Sequence, residues 1–170
     1  VGVSINNLSL NENDIGEFKT FLKISPPLRT EEDRLSLVQG IKENLIDVIV
    51  SDHLPEDEES KRLPFAQAAT GSIGIETLLP LALEMYHNDS LPLNKIIETI
   101  TINPSKILKI NKGSLKKGSD GDICIFDLET PWKLDAELLK SKSKNTAIEG
   151  RKLQGKVLMT FLNGELAFNQ

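Results

Sequence analysis

The run Ile46-Asp47-Val48-Ile49-Val50 restricts the fold of this chain more than any other stretch. Four of its five residues are β-branched and apolar. Such a continuous run suits a strand covered on both faces, as in a parallel sheet, better than a half-solvated strand that alternates. Its flanks agree. Upstream, Thr30 followed by Asp33 makes a capping-box-like helix start, and Glu31 and Glu32 place negative charge where the helix dipole favours it. Leu35, Val38, Ile41 and Leu45 then recur at helical spacing. Downstream, Ser51 to Ala69 is a long polar loop, rich in acids and containing Pro55 and Pro64. A loop of that length in a compact domain points to function or disorder. Helix, buried strand and long loop are the grammar of an α/β fold.

The same grammar covers the first two-thirds of the chain. Val1 to Ile5 is a short β-type run that begins on valine and looks like a strand in mid-fold, so a native N-terminus upstream of Val1 is expected. Phe18 to Ile24 alternates weakly and must stop at Ser25-Pro26-Pro27. Ile75 to His87 reads as a helix, with Pro80 tolerable only near its first turn. Pro92 and Pro104 read as first residues of two more helices, with Ser90 and Asn103 near the caps. At Asn111-Lys112-Gly113 the pattern changes. Asp122 to Leu128, Val157 to Leu162 and Leu166 to Phe168 are strand-like, and Asn163-Gly164 is a hairpin signal. Lys140 to Lys144 reads as a solvated connection. A division into residues 1–112 and 113–170 follows.

Several function classes drop out. The net charge is −5, with both signs mixed along the chain and no basic block, which disfavours nucleic acid as a partner. No apolar run approaches the roughly 20 residues of a membrane helix. The single cysteine, Cys124, excludes a disulfide framework and fits a reducing cytoplasm; within Asp122-Ile123-Cys124-Ile125-Phe126 it reads as a small buried hydrophobe.

Chemistry is most plausible where the apolar strand runs into Ser51-Asp52-His53-Leu54-Pro55-Glu56. Catalytic groups of a (β/α)8 barrel stand at the C-terminal ends of its strands. An aspartate there can bind a metal and carry a proton away from metal-activated water, although Asp-His dipeptides also serve as plain turn residues.

Six stretches, taken in order, resemble dihydroorotase, a cyclic amidohydrolase. They are Ser25-Pro26-Pro27-Leu28-Arg29 with the helix after it, Asp47-Val48-Ile49-Val50-Ser51-Asp52-His53, Lys61-Arg62-Leu63-Pro64-Phe65, Gly71-Ser72-Ile73-Gly74-Ile75-Glu76-Thr77-Leu78-Leu79-Pro80-Leu81, Asn103-Pro104-Ser105-Lys106-Ile107-Leu108, and Gly113 to Asp122. The resemblance implies the C-terminal part of a (β/α)8 TIM-type barrel in residues 1–112, followed by strands of a small β-sandwich in residues 113–170. It implies reversible cyclisation of N-carbamoyl-aspartate to dihydroorotate in de novo pyrimidine biosynthesis, with zinc, in the cytoplasm. Asp52 is then the catalytic carboxylate and, in the intact protein, a metal ligand. Ser25, Glu56, Thr70 and Gly71 fall at substrate-binding positions. The other ligands would lie upstream, so these residues alone are expected to hold no zinc and to be inactive, and to associate with the missing N-terminal half or a second copy.

Three departures open alternatives. Where the family has a Thr-Pro-His-His-Leu-like segment, this chain has Ser4-Ile5-Asn6-Asn7-Leu8, and neutral amides are poor donors for zinc. Glu56 replaces a histidine, and an anionic side chain there would oppose an anionic substrate. Ser25 replaces an asparagine and also occurs in hydantoinases. A non-catalytic homologue acting as structural partner of aspartate carbamoyltransferase, and a hydantoinase-like enzyme, are therefore weighed beside the dihydroorotase.

Overall fold

The computed structural model describes residues 1–170. Strand β1 (Gly2–Ser4) lies parallel to β2 (Val48–Val50), in register from Gly2 opposite Val48 to Ser4 opposite Val50. Both strands therefore end at one level, and whatever follows them starts side by side. The expected strand Val1 to Ile5 stops at Ser4, whose side chain accepts from the Asn6 amide and starts helix α1 (Ile5–Ser9), with Ile5 and Leu8 fully buried.

Helix α2 (Glu31–Lys42) begins with the capping box read from sequence: the Asp33 amide donates to Thr30 Oγ1 at 3.1 Å and the Thr30 amide to Asp33 Oδ2 at 3.3 Å. Its buried stripe is narrower than expected. Val38 and Ile41 are in the core, but Leu35 is exposed, and Leu45 lies beyond the helix end and is exposed too. Phe18 to Ile24 is not a strand: a 3-10 turn spans Thr20–Leu22, and Phe18 sits exposed in left-handed backbone. The expected loop from Ser51 to Ala69 contains helix α3 (Glu58–Arg62), in which Arg62 pairs with Glu58 and Glu59.

Helix α4 (Leu78–His87) starts three residues later than Ile75, with Pro80 in its first turn, where a missing N–H costs no helical bond. Helix α5 (Leu93–Ile100) follows Pro92, which occupies the cap position itself. In α6 (Ile102–Leu108), Pro104 is the third residue, and Asn103 does not cap but donates to the Asp47 carbonyl at 2.9 Å, fastening α6 beside β2.

Strands β3 (Ile123–Lys133), β4 (Lys152–Leu162) and β5 (Glu165–Asn169) form an antiparallel sheet in sequence order. The first two run longer than read, because register shifts on β3 absorb Pro131 and let pairing continue to Trp132 and Lys133. Asn163 and Gly164 take the positive φ values that a two-residue hairpin requires. Cys124 is exposed on β3, not buried as expected. Ile123, Ile125, Leu166 and Phe168 are also exposed on this sheet, and no helix of the chain is long and apolar enough to cross a membrane.

One hydrophobic cluster joins the two regions: Val3, Ile41, Ile49, Leu81 and Ile96 pack with Leu134, Ile148 and Leu153. Beside it Arg151, just before β4, donates to the Ser9 carbonyl at 3.2 Å and to Glu84 of α4 at 2.8 Å. Burial pushes the Glu84 carboxyl above its ordinary 4.5, and Arg151 opposes that shift. A raised carboxyl stabilises most below its unfolded value, and that contribution is lost as the pH rises through the native value. Arg151→Met leaves Glu84 half-buried and unpaired, so it is expected to cost about 2 kcal/mol at pH 8 and clearly less at pH 4, where Glu84 can take up a proton. Urea unfolding at both pH values checks this.

Candidate functional site

Beyond β2 the chain leaves the sheet at Ser51. Asp52 adopts left-handed backbone (φ 49°), a region that aspartate tolerates better than branched residues. No hydrogen bond or ion pair engages its half-buried carboxylate. The next residues run parallel to Ser72–Ile75 through a single bridge between His53 and Ser72 and a bond from the Leu54 amide to the Ser72 carbonyl at 2.9 Å. His53 reinforces this: its Nδ1 accepts from the Gly74 and Ile75 amides at 3.1 and 3.4 Å, which leaves Nε2 to carry the proton of the neutral ring. The two segments touch backbone to backbone. A Cβ added at Gly74 would stand 2.4 Å from the Ser51 carbonyl oxygen, and one at Gly71 2.9 Å from that of Leu54. Only glycine fits at either place.

A third segment crosses both. Asn145 is 2% exposed, and its Nδ2 donates to the Leu54 carbonyl at 3.1 Å and the Gly71 carbonyl at 3.2 Å. Its Oδ1 accepts from the Glu56 amide at 3.2 Å and from the Ser143 hydroxyl, and its own carbonyl accepts from the Ile73 amide at 3.1 Å. The Ala147 amide donates to Ser72 Oγ. Lys140 to Lys144 is thus no free solvated connection: Glu76 accepts from the Lys140 and Ser141 amides, and the Lys144 ammonium reaches the carbonyls of Glu137 and Leu139.

Two lysines hold the far side of the loop. Lys61 is 1% exposed, and its ammonium donates to the carbonyls of Thr20, Lys23 and Ala69 at 2.9 to 3.2 Å. Burial lowers its pKa to about 8. The Lys23 ammonium donates to the carbonyls of Ala66 and Ala68. The Gly71 amide donates to the Lys23 carbonyl at 3.0 Å, and the Asn7 amide group to the carbonyls of Pro26 and Pro27, both at 3.3 Å.

These bonds bring most of the expected site residues to one end of the fold. Asp52 follows β2, Asn7 follows β1, Ser25 precedes the prolines that Asn7 holds, and Thr70-Gly71 joins both the Lys23 and Leu54 segments. Ser25 is exposed, Thr70 half-buried and Gly71 buried, with its amide and carbonyl both engaged. Glu56 is only half-buried and opens elsewhere, onto a cleft of 590 Å³ that it lines with Asp57, Glu58, Glu149, Lys142 and Lys144. Neither Asp52, Ser25, Thr70 nor Gly71 lines that cleft.

The residues present do not compose a zinc centre. No three or more His, Cys, Asp or Glu side chains converge. His53 Nδ1 already serves two amides and Asn7 Nδ2 two carbonyls, while Asn6 Nδ2 and Asn7 Oδ1 stay buried without partners. Composition gave no hint of Asn145 or Lys61. Both sit in strongly polar runs that look solvated, and their partners lie far away in sequence.

Residues 8–167 match the amidohydrolase family. The chain belongs to that family. Among its curated relatives, the dihydroorotase of Ehrlichia canis (strain Jake) is 43% identical over 166 residues, which is 98% of this chain and 37% of that protein. The dihydroorotase of Aquifex aeolicus (strain VF5) is 40% identical over 98% of this chain and 39% of its own length. The chain thus spans less than two-fifths of these relatives. Among solved structures, the L-hydantoinase (dihydropyrimidinase) from Arthrobacter aurescens superimposes with a TM-score of 0.93 at 28% identity, over 99% of this chain and 39% of that one. The amidohydrolase fold is therefore shared with hydantoinases, while sequence identity is higher to dihydroorotases.

Lys61 generates a pH-dependent expectation. Between about pH 8 and 10.5 the unfolded chain keeps a proton on Lys61 that the folded chain releases. Its contribution to stability therefore rises with pH across that window. Relative to Lys61→Met, the wild-type chain should gain stability from pH 8 to 10.5, by at most about 1.4 kcal/mol per pH unit. Paired urea titrations of the two proteins measure it, and a flat difference would refute the buried lysine.

Proposed function

We propose that this chain is the C-terminal part of a dihydroorotase, in which residues 1–112 complete a (β/α)8 barrel and residues 113–170 add strands to a small β-sandwich. The intact protein would interconvert N-carbamoyl-aspartate and dihydroorotate in cytoplasmic pyrimidine biosynthesis. The observation that carries this reading is the unpaired carboxylate of Asp52, in left-handed backbone at the end of a parallel strand.

Opening a cyclic amide requires a base that takes a proton from the attacking water and an acid that gives one to the departing nitrogen. One carboxylate can do both in turn, provided no partner holds it. Asp52 meets that condition. Ser25, Thr70 and Gly71 would bind the substrate, and the half-buried Glu56, which lines the acidic cleft, would be spared the repulsion it would exert on an anionic substrate beside Asp52. Zinc, which the family implies, would draw its remaining donors from outside these residues. The exposed apolar side chains of β3 and β5 fit a surface that the rest of a full-length protein, or a second copy, would cover.

A second reading is favoured by Asn6, Asn7 and Glu56: a homologue without chemistry that serves as structural partner of aspartate carbamoyltransferase. The hydantoinase reading draws on Ser25 and on the structural likeness at 28% identity, against 43% to a dihydroorotase.

The test is turnover by the full-length protein that carries this chain. Hydrolysis of dihydroorotate, reduced about 10²–10⁴-fold in kcat by Asp52→Asn, is expected. Turnover of hydantoin alone selects the hydantoinase. No turnover of either, together with co-purification of the carbamoyltransferase, selects the structural partner.

A further inference from the structure

We propose that Asn145 is a positioning residue for Asp52, acting as a clamp from the C-terminal region on the two segments that carry the candidate site; this deepens the dihydroorotase reading and rests on it. The His53–Glu56 segment and the Gly71–Ile73 segment share little backbone pairing of their own: one bridge, made through the bond from the Leu54 amide to the Ser72 carbonyl. Asn145 supplies what a ladder otherwise would. Both hydrogens of its amide are used, one on each segment, and its oxygen accepts from Glu56 and Ser143.

No aliphatic side chain can replace it, and neither can a carboxylate. The two carbonyls of Leu54 and Gly71 need donors, and the Glu56 amide needs an acceptor, so the site requires a group with both. Burial at 2% exposure makes each lost bond matter, because water does not take over.

The link to Asp52 is short. Leu54 is two residues beyond it, Gly71 follows Thr70, and the carboxylate itself has no partner to fix it. Its direction is therefore set by how the following residues are held. His53 contributes from within the loop. Asn145 contributes from 91 residues away, so the C-terminal segment has a say in the geometry of a site to which it brings no reacting group.

The experiment compares wild type, Asn145→Asp and Asn145→Ala in the full-length protein carrying this chain, alone and in an Asp52→Asn background. Asn145→Asp keeps shape and volume but turns an acceptor toward the Leu54 and Gly71 carbonyls. A fall in kcat of roughly 10²-fold is expected, with a smaller change in KM, since the misplaced group is the proton carrier. In the Asp52→Asn background the same substitution should change the residual rate by less than about threefold, because the two residues act as a unit. Hydrogen exchange provides a readout independent of turnover: the amides of Leu54, Glu56 and Ile73 should exchange faster in both variants, and those of α4 should not. A loss of kcat that persists in full without Asp52 overturns the positioning role and marks Asn145 as general support. Unchanged exchange at the three amides overturns the clamp. If wild type turns over no cyclic amide, the dihydroorotase reading and the catalytic role of the clamp fall together, and exchange alone still decides whether Asn145 holds the loop.

Discussion

Backbone that leaves a sheet for a long, mostly irregular segment still has to pair its amides and carbonyls, and from Ser51 to Ile75, where α3 is the one helix, this protein meets that demand largely with side chains. Lys61 reaches three carbonyls, Lys23 two, Asn145 two carbonyls and an amide, and His53 two amides. Each of these bonds crosses between segments. The short parallel pair β1–β2 fixes where the loop starts, and these side chains fix its course. A backbone this long could otherwise be buried only as sheet or helix.

The parts of the fold that were legible in sequence are those determined by neighbours in sequence. The apolar run before Val50, the Thr30–Asp33 capping box and the Asn163-Gly164 turn each depend on residues within a few positions of one another, and each is found, although the strand covers only Val48–Val50 and leaves Val50 exposed instead of covered on both faces. Misreadings cluster where a distant partner decides. Leu35 and Leu45 carry helical periodicity, but nothing covers them. Cys124 sits in an apolar strand whose side chain is exposed. Asn145 lies in a Lys/Ser-rich run whose composition says solvent, and its partners are on loops 74 to 91 residues earlier. The position of Asp52 at a strand end was legible in the sequence; the side chains that hold the loop after it were not, because no local pattern marks a buried asparagine or lysine.

The replaced residues also become intelligible at this level. Asn7 has a structural part to play. Its amide holds the carbonyls of Pro26 and Pro27, and so fixes the loop that presents Ser25. A fold that superimposes on a hydantoinase and a sequence closer to dihydroorotases are compatible findings, because substrate choice among cyclic amides lies in loops of this kind and not in the scaffold.

The carboxylate of Asp52 differs from most others of the chain in having no partner. Glu31 is held near 2 by the Arg34 guanidinium and by Asn11. Asp122 is lowered by the Asn163 amide and Lys112, and Asp127 by the amides of Thr130 and Glu129. Glu84 has Arg151, Glu76 two backbone amides, and Glu149 the Ala136 amide. Acids used for structure are thus spent on a partner. Asp52 and Glu56 are the half-buried acids whose carboxylates have no partner, and of the two only Asp52 stands in left-handed backbone. His53 and Asn145 hold the residues that follow it, so its backbone position is defined although its carboxylate is free.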